Sequence, residues 1–254
     1  LETGNVESIF AAKNDDLEIV EGDVNIGGQE HFYLECHGAL AIPGERDELL
    51  VYASTQNLTE AQKLISHLLG IEQNKIITKT KRLGGGFGGK ESRSSIVSGA
   101  AAVAAHTLNV PVRIVLDRDV DMTMTGQRHP FYGKYKAAVT KQGKLVALDV
   151  ELYNNAGYSL DLSQSIMDRA LFHIDNCYNI PNLRARGFVC KTNLPSNTAF
   201  RGFGGPQGLF ICESILDRIA SQLNIEHKET VRAMNLYKKD DTTHFGQVIF
   251  DGDR

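Results

Sequence analysis

Apolar and polar positions along this chain follow two spacings, and the switches between them mark its elements. Residues 49–54 (LLVYAS) are a short apolar run of strand composition. Beyond it, Thr59-Glu60-Ala61-Gln62 has the form of a capping box. Leu64, Ile65, Leu68 and Leu69 then recur at helical spacing, and Gly70 ends the helix. Residues 75–82 alternate apolar and polar, as a half-exposed strand does. Alanine-rich 92–108 predicts a buried helix, and 112–118, 132–140, 145–157 and 185–193 predict strands. Amphipathic helices are expected over 206–223 and 228–236, while 161–173 is compatible with a helix or a loop. No Pro- or Ser-rich linker divides the chain. The pattern predicts one α+β domain over 1–254, with mixed, largely antiparallel sheets and packed helices.

Two segments break the pattern with glycine. KRLGGGFGGKE (81–91) sets five glycines around Phe87, and the adjacent Lys90 and Glu91 read as an ion pair closing it. RGFGG (201–205) repeats the design around Phe203. The first loop fits G-x-G-x-x-G and most of G-x-x-x-x-G-K-[ST]. A phosphate loop, however, needs a hydroxyl after the lysine to hold magnesium, and here Glu91 stands there. A dinucleotide fold needs an acid about 20 positions on, and the first acid after Glu91 is Asp117. Glycines in series let a bulky ligand approach backbone N–H groups closely. A ring between glycines has a free face for stacking. Both loops therefore suit a flat or bulky ligand rich in acceptor oxygens, with a nucleotide-binding module as the alternative.

Composition narrows the partners. The 254 residues carry a net charge of −4, which gives no case for nucleic acid or an anionic membrane. No apolar run approaches the roughly 20 residues of a membrane span. Four scattered cysteines without a C-x-x-C pair argue against an iron–sulfur or zinc site built from this segment, and predict free buried thiols in a reducing compartment. His31, His37, His129 and His173 lack ligand spacing and read as structural. Leu1-Glu2-Thr3-Gly4 and Phe250-Asp251-Gly252-Asp253-Arg254 read as cut ends of something longer.

The blocks GGQEHFYLE (27–35), STQN (54–57), RLGGGFGGKESR (82–93), RHPF (128–131), DLSQSIMDRALFH (161–173) and KTNLPSNTAFRGFGGPQG (191–208) together resemble the xanthine dehydrogenase/oxidase group of the molybdenum hydroxylase family. The resemblance covers nearly the whole chain and implies the first part of that family's molybdenum-cofactor-binding domain. It implies that Gln56, Phe87 and Arg201 contact a Mo-molybdopterin cofactor, with no direct side-chain ligand to the metal. Gly85, Gly86 and Gly88 would allow the close approach. It also implies that Glu91 and Arg169 bind and activate a purine (xanthine or hypoxanthine), with Phe203 stacking on the ring. The implied reaction is hydroxylation of a purine carbon with oxygen from water. An aldehyde oxidase-type hydroxylase is the alternative, though that group typically lacks the Glu91/Arg169 pair. Asp168 departs from the family, where many relatives carry glutamate. The resemblance further implies [2Fe-2S] clusters, FAD and a general-base glutamate elsewhere in a longer parent. That parent would be a homodimer of cytoplasm or peroxisome, passing electrons to NAD or oxygen. The isolated segment is expected to be inactive.

Overall fold

A computed structural model describes residues 1–12 and 14–251. Lys13 and 252–254, the last of the chain end quoted above, lie outside the described residues. The first part of the chain holds β1 (Glu2–Thr3), α1 (Val6–Ala11), β2 (Leu17–Ile26), β3 (Gly38–Pro43), β4 (Leu49–Ala53) and α2 (Leu58–Leu69). Then come β5 (Ile76–Lys79), α3 (Ser94–Leu108), β6 (Val112–Val115) and α4 (Arg118–Met124). The remainder is β7 (Phe131–Thr140), β8 (Leu145–Gly157), α5 (Ser163–Phe172), β9 (Asn182–Lys191), α6 (Gly205–Gln222) and α7 (Lys228–Asn235).

The strands form two sheets, ordered β1-β9-β8-β7-β2 and β5-β4-β3-β6. Among the named strands only β4/β5 and β8/β9 pair in parallel, so the mixed, largely antiparallel expectation holds. Each sheet has its own core. One face of the larger sheet (Val139, Leu148, Val150, Leu183) is closed by α5, α6 and α7 through Ile166, Met167, Ile211, Ile215 and Val231. One face of the smaller sheet (Ala41, Leu49, Val51) is closed by Ile65 of α2 and by Val97, Ala101 and Ala105 of α3. Alanines let α3 lie close on the sheet, which is how an alanine-rich stretch earns its burial.

Several local expectations shift for tertiary reasons. Asn57, not Thr59, caps α2, its Oδ1 accepting from Glu60 N at 3.1 Å. Gln62 does not complete a capping box, because its amide donates to Gln73 O and Ile76 O at 3.0 and 2.8 Å and steers the chain into β5. Leu68 of the expected apolar stripe stays half exposed, and the buried positions are Ala61 and Ile65. The strand expected over 75–82 is only four residues long, and α3 begins at Ser94 rather than Ser92. Residues 161–173 contain helix α5. All four cysteines are free, but only Cys212 is buried, and Cys177 is exposed. Among the described residues no helix is long and apolar enough to cross a membrane.

His129 ties the larger sheet to α5. Its ring is buried, with Nε2 2.7 Å from Ser163 Oγ, and burial pulls its pKa from 6.5 down to about 4. A depressed histidine binds fewer protons folded than unfolded, so its contribution is intact above pH 6.5 and is lost as pH falls from there toward about 4. The loss should total about 3 kcal/mol. Urea unfolding of the protein at pH 7 and pH 4.5, before and after His129→Gln, should show most of that slope vanish in the variant. An unchanged slope would place the proton elsewhere.

Candidate functional site

Lys90 sits at the end of the first glycine loop, and its side chain turns inward. Its Nζ donates to Glu35 O at 2.6 Å, Ser54 Oγ at 2.7 Å and Glu35 Oε2 at 3.2 Å, and lies 4.6 Å from the Tyr33 ring centroid. The side chain is fully buried, and burial draws the ammonium's pKa down despite the pull of Glu35. Burial pushes Glu35 upward in turn, but the Gly84 N–H, Ser54 and Lys90 outweigh it and hold the carboxyl below its usual range. The expected Lys90–Glu91 ion pair does not form. Successive side chains in an irregular loop point apart, and the counter-charge arrives from Glu35, 55 positions away.

With Lys90 anchored, its backbone fixes Gln56. Gln56 N donates to Lys90 O at 2.9 Å, and Gln56 Oε1 accepts from Gly88 N and Lys90 N at 2.9 and 3.2 Å. Two accepted bonds assign the amide's orientation. Oε1 faces the loop, and Nε2 is left as an unpartnered donor on an exposed residue. Gly86 is where this contact needs glycine, since a Cβ there would stand 2.5 Å from Gln56 Oε1. The amides of Gly85, Gly86 and Phe87 donate to nothing within reach among the described residues. A short row of backbone donors and one carboxamide N–H thus stay unsatisfied, as a ligand rich in acceptors requires.

The second loop packs against the first. Arg201 N donates to Phe87 O at 2.8 Å, and a Cβ on Gly88 (φ +104°) would stand 2.6 Å from Ala199 O. His31 and Arg128 hold the junction. His31 Nε2 reaches Ala199 O at 2.7 Å, and its ring stacks on Phe200 at 4.5 Å. The Arg128 guanidinium lies 3.9 Å over the same Phe200 ring and donates to Arg201 O at 2.8 Å. Burial lowers the His31 pKa and keeps the ring neutral. Neither residue stood out among the candidate site residues, although both lie in blocks that carry the resemblance. Their role depends on Phe200, which neighbours them only in space. The other histidines expected to be structural are also engaged, His37 with Asp121 and His173 Nδ1 with Arg169 O.

Glu91, Arg169 and Phe203 belong to three different segments, the first loop, α5 and the second loop. Beside Glu91, Ser92 Oγ donates to Asp161 Oδ1 at 2.6 Å, and Thr198 Oγ1 donates to Asp161 Oδ2 at 2.7 Å. This ties the first loop, the turn before α5 and the approach to the second loop into one knot. The second loop's backbone lies directly on α5, with the Cβ position of Gly204 2.1 Å from Ile166 O. Phe203 is half-buried against the large core, its backbone in the left-handed region at φ +49°. Arg169 is exposed on α5, one turn beyond Ile166.

The ordinary explanations for these charges do not apply. Asp168 accepts from Gln164 at 2.8 Å and Asp161 is taken by two hydroxyls, so neither pairs with Arg169. Helix α3 has no acid in its first turn, so Glu91 is not a helix-end charge. Among the described residues the side chains of Glu91, Arg169 and Arg201 form no ion pair or hydrogen bond. Gln56, Phe87, Arg169 and Arg201 are all exposed.

Residues 1–236 match the family model described as the molybdopterin cofactor-binding domain. The chain is 54% identical to a xanthine dehydrogenase/oxidase of Felis catus and 51% identical to a xanthine dehydrogenase of Calliphora vicina. Each alignment covers 98% of this chain but 18% of the relative, so the chain spans under a fifth of those relatives' length. Among solved structures it is similar to the aldehyde oxidoreductases of Desulfovibrio gigas and Desulfovibrio desulfuricans. The TM-scores are 0.85 and 0.86, at 28% and 26% identity. Those matches cover 98% and 97% of this chain and 27% of each neighbour.

Contact between the two loops makes a stability test possible. Gly88→Ala adds a left-handed strain and a clash with the Ala199 backbone, together about 2–4 kcal/mol. Gly70 shares a positive φ but has open space around its Cβ position, so Gly70→Ala should cost only about 1 kcal/mol. Urea midpoints of the two variants separate the terms, and equal losses would show that the loops do not press together.

Proposed function

The chain belongs to the molybdopterin cofactor-binding domain family, and from that premise we propose that it supplies the cofactor cradle and half of the substrate grip of a molybdenum-dependent purine hydroxylase. The residues fit the cofactor by their own geometry. The unsatisfied amides of Gly85, Gly86 and Phe87, the free Gln56 Nε2 and the unpaired Arg201 guanidinium are donors on adjoining backbone. Gly86 leaves room for the Gln56 amide and Gly88 for the second loop's backbone, where a Cβ would collide. Gln56, Phe87 and Arg201 would hold the cofactor, with Gly85, Gly86 and Gly88 opening its approach. When bound, the molybdenum cofactor supplies two-electron oxidation chemistry, which no side chain of this chain can provide.

Two unpartnered charges support the purine reading, Glu91 at the end of the first loop and Arg169 on α5, the helix on which the second loop lies. A carboxylate accepts from a ring N–H, and a guanidinium donates to a ring carbonyl oxygen. Electron density that builds on the heterocycle during oxidation would be stabilised by that guanidinium. Phe203 is braced from behind by the core and offers its ring as a flat stop that fixes the plane of the substrate. A simple aldehyde has neither the second polar edge nor the extended plane to use all three. Because the chain spans 18% of its relatives, the route by which electrons leave lies outside it.

In the full-length protein, Glu91→Ala and Arg169→Met should each lower kcat/KM for xanthine roughly 100-fold or more, the cost of one charge-assisted bond made in the transition state. Turnover of a small aromatic aldehyde should stay within about threefold. Equal losses on both substrates would overturn the purine assignment and leave the cradle standing.

A further inference from the structure

Strands β3 (GALAIP) and β4 (LLVYA) carry no charged residue and are apolar on both faces. The inner face is closed by α2 and α3. On the outer face the register lines up Lys79, Tyr52, Leu40 and Arg113 in one row across all four strands. Ile77, Leu50 and Ile42 form the next row. On the edge strands this face is open, with Ile77 51% and Val115 53% exposed, while Leu40, Ile42, Leu50 and Tyr52 between them are half-buried. An antiparallel sheet with one wet face alternates apolar and polar, whereas apolar runs on both faces mark a sheet covered twice. The outer face has the composition of an interior.

Its rim is cationic. Lys79, Lys81, Arg82 and Arg113 border a groove of about 530 Å³ floored by Leu40 and Tyr52. None of the four has an ion-pair partner among the described residues. The nearby carboxylate, Glu35, is already held by Lys90, Ser54 and the Gly84 amide. Four unpaired cations around an apolar floor, on a chain of net charge −4, call for an occupant of opposite sign.

We propose that the outer face of the smaller sheet is the docking surface for a segment of the same polypeptide outside residues 1–254, apolar along its centre and flanked by Asp or Glu. Two considerations favour that occupant. The chain covers only 18% of its curated relatives, so most of a relative-length polypeptide is tethered nearby, and tethering removes much of the cost of association. A second copy docked through the same face would set its four cations against the same four across a two-fold axis. The inference stands apart from the purine assignment, and its test measures no turnover.

In the unaltered full-length protein, Lys79 should react with acetic anhydride roughly tenfold more slowly than in the denatured chain. In a second preparation, Tyr52→p-benzoylphenylalanine should photo-cross-link at monomer mass to a peptide outside 1–254 that has acidic residues flanking apolar ones. Equal Lys79 labelling in native and denatured protein would overturn the proposal. So would a cross-link at dimer mass, one confined to 1–254, or one to a peptide without acids. Should the Tyr52 variant fail to fold, the Lys79 footprint alone decides.

Discussion

The Lys90 ammonium has three N–H bonds, and the fold uses all three, on Glu35 O, Glu35 Oε2 and Ser54 Oγ. A fully buried charge survives only when it is paired and its donors are filled, because the desolvation cost is otherwise prohibitive. That requirement locks the end of the first glycine loop to the 33–36 segment. Everything else at the site hangs from the lock. Lys90's own N–H and C=O set Gln56, and the adjacent Gly88 N–H completes the amide's orientation. With no donor left over, Lys90 cannot serve a phosphate, so the sequence likeness to a phosphate loop has no counterpart in the geometry.

A second consequence is what remains unpaired. Glu91 follows Lys90 directly yet gains nothing from it, and Arg169 follows Asp168, which bonds Gln164 instead. Folded surfaces usually let such charges find each other, although exposed pairs contribute little. Here the Glu91 carboxylate, the Arg169 and Arg201 guanidiniums, a carboxamide and three backbone amides, spread over the two loops, the 54–57 segment and α5, all lack partners among the described residues. Binding sites forgo local pairing in this way so that a ligand can complete it.

Much of the fold was legible because many of its longer elements obey one period throughout, though the ten-residue β2 was not foreseen. Helices α2, α3, α6 and α7 and strands β4, β7, β8 and β9 lie close to where apolar spacing puts them. The elements that escaped depend on distant partners. Helix α4 is seven polar-rich residues, fixed by the buried Asp121 carboxylate, which accepts from the Tyr33 hydroxyl and from His37 N. Strand β3 is six residues bounded by Gly38 and Pro43, short enough to pass for a turn. The Glu91, Arg169 and Phe203 set is proposed through the resemblance rather than the pattern. The Lys90–Glu91 misreading has the same origin as the missed His31 and Arg128. Charge and ring partners in a loop are chosen in space, and adjacency along the chain carries little information about them.

The central claim is that the adjoining glycine loops, set by Lys90 and Gln56, hold a molybdenum cofactor. The most direct test is the molybdenum-to-protein ratio of the purified full-length protein, unaltered and with Gly86→Leu, which drives a side chain into the space taken by the Gln56 amide. Near-stoichiometric molybdenum is expected in the unaltered protein and a severalfold loss in the folded variant. Folded unaltered protein without molybdenum, or a ratio indifferent to the bulk placed at Gly86, would contradict it.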